Sequence, residues 1–380
     1  MRMIFDQRGL KAIGDPRVAA GVVAVLLTAG VAACSSSGAS DPGGATASVT
    51  SSAGGSATQT IRIAVLPTQS NLGIYAAIDK GYFAAAGINV DLIPTSNGPA
   101  DLAAVIGGSA DLGFSEILSA TGAIEHGENL KLVTAVNGGD PVGTSIEAHP
   151  STAPGGNSGA LLVSPSSSIT SVSQLAGKTI GYNGVPLLKT VIESYLASKG
   201  VNPASVNYTV ISSYAAMGTA LAQKQVDAVV PIDPFQEEIT ATGQGRMLAD
   251  VSAQEPSASV IAALWGAPSW LQAHSALVSS FVAAFRKGAA DANAMTPQQK
   301  VTTLAKFGQF TNLAQLQKTV PAVVDDIHYA VQASAPMTTG SGDWSVASAN
   351  AWIKVGVKYG VVPQATDIGK YLWPTATGGS

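Results

Sequence analysis

From about residue 60 onwards, segments in which hydrophobic residues recur at every second position, as in strands, alternate with segments in which they recur every three to four positions, as in helices. The stretch "IRIAV" at 61–65 alternates as a strand does, and "LGIYAAIDKGYFAAAG" at 72–87 has the spacing of an amphipathic helix that ends at a glycine. A strand "INVDLI", a helix "PADLAAVIGG" and a strand "ADLGFS" follow. The pattern therefore predicts a unit of the order β-α-β-α-β.

The same order of elements returns further along the chain. A strand "KTIGY" is followed by the helix "LLKTVIESYLASKG", the strand "VNYTVI", the helix "AAMGTALAQKQ" and the strand "DAVVPIDP". Asp111 and Asp227 hold equivalent places, because each opens the third strand of its unit. Two such units predict two α/β lobes with mainly parallel sheets.

Two stretches rich in turn-forming residues separate these units from the rest, at 137–159 and 251–260. We interpret them as the chain crossings between the lobes. After Val260 a strand "VIAALWG" precedes a long helix and further helices, which are too helical for a third α/β lobe and are expected to cover the first. The predicted organisation is therefore lobe 1 at 61–145, lobe 2 at 146–255, and a return to lobe 1 with C-terminal helices at 256–380.

The N-terminus has the layout of an export signal: basic residues, an apolar stretch from Val18 to about Val31, and small residues before Cys34. The sequence "VAAC" at 31–34 resembles the lipobox of bacterial lipoproteins, in which the cysteine is acylated. We therefore predict a signal peptide at 1–33, lipidation of Cys34 and a Ser/Gly/Ala-rich tether at 34–60. The alternative is a buried free cysteine. The expected location is the outer face of the cell membrane.

Composition and charge exclude several classes of function. The chain has 380 residues, 46% of them hydrophobic and 12% charged, with a net charge of −4 and no run of lysine or arginine, so nucleic acid is not an expected partner. The single cysteine excludes an intrachain disulfide. The histidines are scattered without metal-ligand spacing, and "GFSEI" is not a nucleophile motif of the form G-x-S-x-G. We therefore expect no metal, no cofactor and no catalysis.

Four segments together resemble the periplasmic substrate-binding proteins of ABC importers, in the branch that binds nitrate, taurine, aliphatic sulfonates and thiamine precursors. The resemblance is carried by "LPTQSNLGIYAAIDKGYFAAAGINVDLI", "GGSADLGFSEILSA", "LAGKTIGYNG" and "VDAVVPIDPF". It implies an α/β fold, the two-lobed type II periplasmic-binding-protein clamp, whose lobes close on a hinge over one small solute.

The same resemblance implies partners and leaves alternatives. A monomeric binding protein would deliver a small organic solute, sulfonate-like or a heterocycle like a thiamine precursor, to ABC permease and ATPase subunits. One alternative is an enzyme on the same fold that makes the thiamine pyrimidine, although this chain lacks the cysteine motif of that enzyme. Another is a solute sensor for a membrane receptor.

Loops beyond the carboxyl ends of the strands are where ligands collect in parallel α/β units. This rule selects candidate ligand-binding residues from several loops: Thr68, Gln69, Ser70, Asn71, Asn97, Gly98, Ser115, Glu116, Asn183, Gly184, Val185, Tyr214 and Asp233. Several of these loops lead into helix N-termini, which favour anions and carbonyl oxygens. The alternative for the serines and asparagines is that they only cap their helices.

Two carboxylates among these candidates bear on the charge of the solute. Glu116 and Asp233 would repel an anion in a closed cleft and would suit a cation, an amine or a ring N–H, unless they cap helices or face a polar interior. No lysine or arginine lies in the loops, and Lys189 is expected on an outer helix face. Aromatic candidates for stacking, which are alternatively core residues, are Tyr75, Phe114, Tyr182, Tyr214, Phe235 and Trp265, with Tyr214 as first choice.

Overall fold

A computed structural model describes residues 58–138, 160–232, 235–251, 260–307, 331–340 and 344–379. The predicted signal peptide, Cys34 and nearly all of the predicted tether lie outside these residues, as do Asp233 and most of both predicted crossings. In the part that is described, no helix is long and apolar enough to cross a membrane.

Eleven strands of the described residues form two sheets. The strands are β1 (Gln59–Val65), β2 (Ile88–Pro94), β3 (Leu112–Glu116), β4 (Lys131–Gly138), β5 (Ala160–Val163), β6 (Thr179–Tyr182), β7 (Asn207–Val210), β8 (Ala228–Val229), β9 (Arg246–Asp250), β10 (Val260–Gly266) and β11 (Val331–Gln332). The six-stranded first sheet has the order β11-β4-β10-β3-β1-β2, and the five-stranded second sheet has the order β7-β6-β8-β5-β9.

The helices connect and flank these strands. They are α1 (Leu72–Asp79), α2 (Tyr82–Ala85), α3 (Gly98–Ile106), α4 (Ile117–Glu125), α5 (Pro186–Ser198), α6 (Tyr214–Ala222), α7 (Phe235–Ala241), α8 (Pro268–Ala273), α9 (Ser275–Ala294), α10 (Pro297–Lys306) and α11 (Val346–Lys358). Short 3₁₀ turns lie at Gln69–Asn71, Val172–Leu175, Pro203–Ser205, Ile368–Tyr371 and Pro374–Thr377.

Both predicted β-α-β-α-β units are present and follow the same plan. In the first sheet β1 pairs in parallel with β2 and β3, and in the second β6 pairs in parallel with β7 and β8. Asp111 accepts a hydrogen bond from the backbone N–H of Arg62 at 2.8 Å, and Asp227 accepts one from Thr179 at 2.9 Å. The two aspartates therefore join equivalent strands in the two lobes.

The sheets are mixed, which corrects the expectation that they are mainly parallel. β10 runs antiparallel to both β3 and β4, and β5 runs antiparallel to β8 and β9. Parallel neighbours need a crossover connection between them, usually a helix. β10 reaches the first sheet from the second lobe, so no such crossover joins it to β3 or β4 and it can run antiparallel to both.

The residues after Val260 are built into the first lobe more deeply than the sequence suggests. β10 lies in the middle of the first sheet and all seven of its residues are buried. The predicted long helix is divided at His274 into α8 and α9, and the His274 ring stacks on Trp270 at 4.6 Å. α9 packs against α1, so this part of the chain both completes and covers lobe 1.

Candidate functional site

Two adjoining cavities lie at the ends of strands from both sheets. The inner chamber has a volume of about 70 Å³ and is lined by Leu66, Thr68, Ser70, Gly98, Phe114, Glu116, Asn137, Val185, Leu187, Leu188, Tyr214, Ile232, Ile261 and Ala262. The outer pocket has a volume of about 280 Å³ and is lined by Leu66, Pro67, Thr68, Thr95, Ser96, Ser212, Ser213, Tyr214, Ala215 and Phe235. Leu66, Thr68 and Tyr214 belong to both, and both lobes contribute to each.

The loop after β1 brings Thr68 to both cavities. Leu66 donates its backbone N–H to Asp101 at 3.1 Å, and the Asn71 side chain donates to the Leu66 carbonyl at 2.7 Å. These bonds hold the loop between strand and helix in one shape. The Thr68 side chain is buried, and its Oγ1 has no hydrogen-bond partner within the described protein.

Asn97 and Asn183 connect the two lobes at the cleft. Asn97 caps α3 by accepting a hydrogen bond from the Ala100 N–H at 3.0 Å, and its Nδ2 donates to the Asn183 carbonyl at 3.4 Å. Asn183 Oδ1 accepts from the Val185 N–H at 3.2 Å, and the Asn183 side chain is buried. Gly184 takes a positive φ of 86°, which favours glycine in this turn.

Glu116 is both a helix cap and a wall of the inner chamber. Its Oε1 accepts hydrogen bonds from the Ser119 N–H at 3.1 Å and from the Ser119 hydroxyl, and its Oε2 accepts from the Ser115 hydroxyl at 3.3 Å. Burial raises the pKa of this carboxyl, while the serine hydrogen bonds act in the opposite direction. The capping alternative is therefore correct for Glu116 and coexists with its place in the chamber.

Tyr214 is the aromatic residue common to both cavities. It begins α6, is nearly fully buried, and stacks on Phe235 with ring centroids 5.4 Å apart. Burial raises the pKa of its hydroxyl, and the negative charge of Glu116 adds to this shift. The phenol therefore stays protonated and can donate a hydrogen bond at neutral pH.

The other aromatic candidates divide between the cavities and the core. Phe114 lines the inner chamber and Phe235 the outer pocket. Tyr75 stacks on Phe307 at 4.6 Å inside lobe 1, and Trp265 is fully buried with its Nε1 donating to the Ser115 carbonyl at 3.1 Å. Tyr182 packs edge-on against Tyr208 in lobe 2. Tyr75, Trp265 and Tyr182 therefore pack within their lobes, as the alternative of core residues predicted.

The structure places the predicted site residues at different depths. Thr68, Ser70, Gly98, Glu116, Val185 and Tyr214 line the inner chamber. Gln69, Asn71, Ser115 and Asn183 are buried but do not line either cavity, and Asp233 lies outside the described residues. Whether they contact a solute stays a prediction.

Asn137 is a chamber residue that the sequence analysis did not select. It is buried near the end of β4, and its Oδ1 has no partner within the described protein. The available signal was a polar residue after the apolar run "LVTAV", at the carboxyl end of a strand. It was instead assigned to the start of a crossing.

Basic side chains and metal-binding groups are not found at the described walls of the cleft. None of the residues that line the two cavities is lysine, arginine or histidine. Lys189, on α5, donates to Glu193 at 2.6 Å and lies over the Tyr208 ring at 5.0 Å. Within the ranges that the structure describes, no group of three histidine, cysteine, aspartate or glutamate side chains could hold a metal ion.

Sequence comparison identifies one matching family description. A family model described as "NMT1/THI5 like" matches residues 69–149 and 156–299, which include all the predicted ligand-binding residues except Thr68. No protein of curated function matches the chain in sequence.

Solved structures of similar fold cover most of the chain. The alkanesulfonate-binding protein SsuA from Xanthomonas axonopodis pv. citri, bound to MOPS, is 20% identical with a TM-score of 0.62 over 84% of this chain and 99% of its own. A ligand-binding component of an ABC-type import system from Staphylococcus aureus, with zinc bound, is 14% identical with a TM-score of 0.65 over 85% and 99%. The desulfurization enzyme DSZB is 14% identical with a TM-score of 0.55 over 83% and 96%. These similarities establish the two-lobed periplasmic-binding-protein fold.

Proposed function

Because the chain belongs to the NMT1/THI5-like family, we propose that it captures a small organic solute between its two lobes and delivers it to an ABC importer. The observation that carries this proposal is the inner chamber, where buried Thr68 Oγ1 and Asn137 Oδ1 have no protein partner in the described structure. An unpaired buried polar group costs about 1 to 3 kcal/mol. A solute that pairs with both atoms would recover this cost.

The dimensions of the cleft support capture with closure of the lobes. Ligand pockets usually measure roughly 300 to 1,000 Å³, whereas the inner chamber measures about 70 Å³ and the outer pocket about 280 Å³. A solute that fills the inner chamber and extends into the outer pocket requires the lobes to separate for entry. Hinge closure around a ligand is a common response of two-lobed proteins.

The walls support an organic solute with a polar end and an apolar body. Leucine, isoleucine, valine and aromatic residues form most of the inner wall, and no basic side chain lies among the described lining residues. A sulfonate would have to rely on backbone N–H groups and neutral side chains. A heterocycle or amine would use the same apolar wall and the carboxyl of Glu116.

We propose binding and not catalysis, although DSZB shows that the fold also occurs in an enzyme. The titratable side chains at the described inner wall are Glu116 and Tyr214, and Glu116 already caps α4. The single cysteine of the chain is Cys34, which precedes the first strand, and the described walls of the two cavities contain no thiol nucleophile. A solute sensor would use the same cleft, and uptake of labelled solute by cells with and without the gene distinguishes it from an importer component.

Thermal unfolding with a panel of solutes tests capture directly. The panel contains alkanesulfonates, taurine, nitrate, thiamine precursors, amines and nucleobases. A true solute at 100 times its Kd adds about 2.7 kcal/mol of stability, which raises the unfolding temperature by about 5 °C. The shift should be lost at the same concentration in Tyr214→Ala, because Tyr214 walls both cavities.

A surface substitution of similar size provides the control for this panel. Ile106→Ala removes an exposed side chain at the end of α3 and should keep the full shift. A panel without any shift in the wild-type protein would contradict capture of these solute classes. A shift that Tyr214→Ala retains would place the solute elsewhere.

We also propose export and lipid anchoring at Cys34. The basic, apolar and small-residue segments before this cysteine support the proposal. We expect Cys34→Ala to move the protein from the membrane fraction to the culture supernatant or periplasm, as measured by immunoblotting of fractions. Ser36→Ala is the control and should stay in the membrane fraction. Retention of Cys34→Ala in the membrane would contradict the anchor.

A further inference from the structure

The Glu116 carboxyl lies at the start of two helices, and the role that we assign to it below rests on the proposed function. It caps α4 through Ser119, and a carbon added to Gly98, the first residue of α3, would lie only 2.5 Å from its Oε2. Helix N-termini favour anions through their free N–H groups and partial positive charge. In this protein the chain's own carboxyl occupies that position.

The remaining polar atoms of the chamber also favour a hydrogen-bond donor as ligand. Asn137 Oδ1 is an acceptor, and the Thr68 hydroxyl oxygen can accept as well as donate; both are buried and have no protein partner in the described structure. Glu116 Oε2 accepts the 3.3 Å hydrogen bond from the Ser115 hydroxyl and lines the same chamber. Three oxygens therefore line one small space, and none of the described lining residues carries a positive charge.

We propose that the chamber selects solutes whose head group carries N–H donors and rejects anionic head groups, with Glu116 as the residue that determines this specificity. A protonated amine or an amide-like N–H can donate to Glu116 and Asn137. Burial favours the neutral form of Glu116 in the empty chamber, and a bound ammonium group would favour its ionised form. A sulfonate would oppose that ionisation and would find no positive charge among the described lining residues. Rejection through such a repulsive element is a common source of specificity.

A series of probes with the same apolar body isolates the head group. Butylamine, butyramide and butane-1-sulfonate are titrated calorimetrically into the full chain. We expect the two nitrogen-containing probes to bind and the sulfonate to bind at least tenfold more weakly. The comparison of amine with amide shows whether a full positive charge or an N–H alone is required.

Glu116→Gln tests the assigned role with little change in shape. Glutamine keeps an oxygen that can cap α4 but removes the carboxyl that can ionise beside a bound ammonium group, so butylamine affinity should fall at least tenfold and the preference over the sulfonate should shrink by a similar factor. Glu125→Gln makes the same substitution at the other end of α4, where Glu125 accepts from Thr366, and should keep the wild-type preference.

Three results would overturn the inference. They are tighter binding of the sulfonate than of the amine by the wild-type protein, an unchanged head-group preference in Glu116→Gln, and no binding of any of the three probes. The first two would leave the proposed function standing, because a solute would still be captured. If none of the three probes binds, the thermal unfolding panel of the previous subsection tests the proposed function separately, because it contains other classes of solute.

Discussion

Gly288→Ala is expected to lower the free energy of unfolding by about 2 to 4 kcal/mol. Gly288 lies in α9 where this helix crosses α1. A carbon added there would lie 2.5 Å from both the Ala77 Cβ and the Gly73 carbonyl oxygen, and 2.6 Å from the Ala77 nitrogen. Two of these three atoms belong to the backbone of α1. The methyl group therefore fits only if the helices move apart, and urea denaturation measures the cost.

The same substitution at Gly122 is the matched control. Gly122 lies in α4, and an added carbon there meets nothing within 4 Å. Alanine is the better helix former, so Gly122→Ala should raise stability by about 0.5 to 1 kcal/mol. Wild-type stability in Gly288→Ala would contradict the close crossing of the two helices.

The helix crossing also matters for the cleft. Asn71 precedes α1 and fixes the loop that contains Leu66 and Thr68. A shift of α1 away from α9 would carry this loop with it. We therefore expect the solute affinity of Gly288→Ala to fall together with its stability, whereas Gly122→Ala should keep both.

The sequence was sufficient for the two lobes because each contains a local and complete pattern. Alternation of the strands, helical spacing and terminal glycines recur in both halves, and the equivalent aspartates Asp111 and Asp227 make equivalent bonds. These features depend on neighbours in the sequence. They predict the elements and their parallel pairings but not how a later strand joins the sheet.

The long-range features were not available from local patterns. The antiparallel place of β10 between β3 and β4 depends on where the chain returns from the second lobe. Position 274, where α8 and α9 are separated, is a histidine and not a glycine or proline, so the residue type does not predict the break. A pattern of apolar residues cannot distinguish one long helix from two consecutive helices that keep the same buried face.

The candidate site was predictable as a set of loops but not as a set of contacts. The rule that ligands collect beyond strand ends selected Thr68, Glu116 and Tyr214, which line the inner chamber. It could not show that Asn97 reaches the Asn183 carbonyl, because that bond depends on the distance between lobes. Asn137 was missed because a polar residue before two glycines also has the pattern of a turn.

Asp101 is a buried carboxyl behind the cleft that should make stability depend on pH. It accepts hydrogen bonds from the Leu66 N–H at 3.1 Å and the Thr95 hydroxyl at 2.5 Å. Burial is the largest cause that raises its pKa to about 8, the negative charge of Glu116 adds to the increase, and the two hydrogen bonds oppose it. Tyr75, whose own pKa is raised by burial, is the other titratable group near it.

The direction of the pH effect follows from the two pKa values. The pKa of the Asp101 carboxyl is 3.8 in the absence of the fold and about 8 in the folded protein, so the folded protein holds an extra proton between these values. Its contribution to stability is complete below pH 4 and is lost as the pH rises to 8. Since one pKa unit corresponds to about 1.4 kcal/mol, we expect the free energy of unfolding to fall by about 2 to 5 kcal/mol over this range.

Asp101→Asn should remove most of this dependence, because the amide is neutral at every pH and can still accept from Leu66 and donate to Thr95. Urea denaturation at intervals from pH 4 to pH 8 measures the dependence, and Glu116, whose pKa burial raises in the same direction, contributes to the slope that remains. Asp367→Asn is the control. Hydrogen bonds from Asn350 and Gly369 lower the pKa of Asp367, so its contribution is lost only below pH 4 and the slope above it should not change. If the free energy of unfolding of Asp101→Asn depends on pH as strongly as that of the wild-type protein, the prediction is wrong. Asp101 would then be ionised in the folded protein, and Leu66 and Thr95 would donate to a carboxylate.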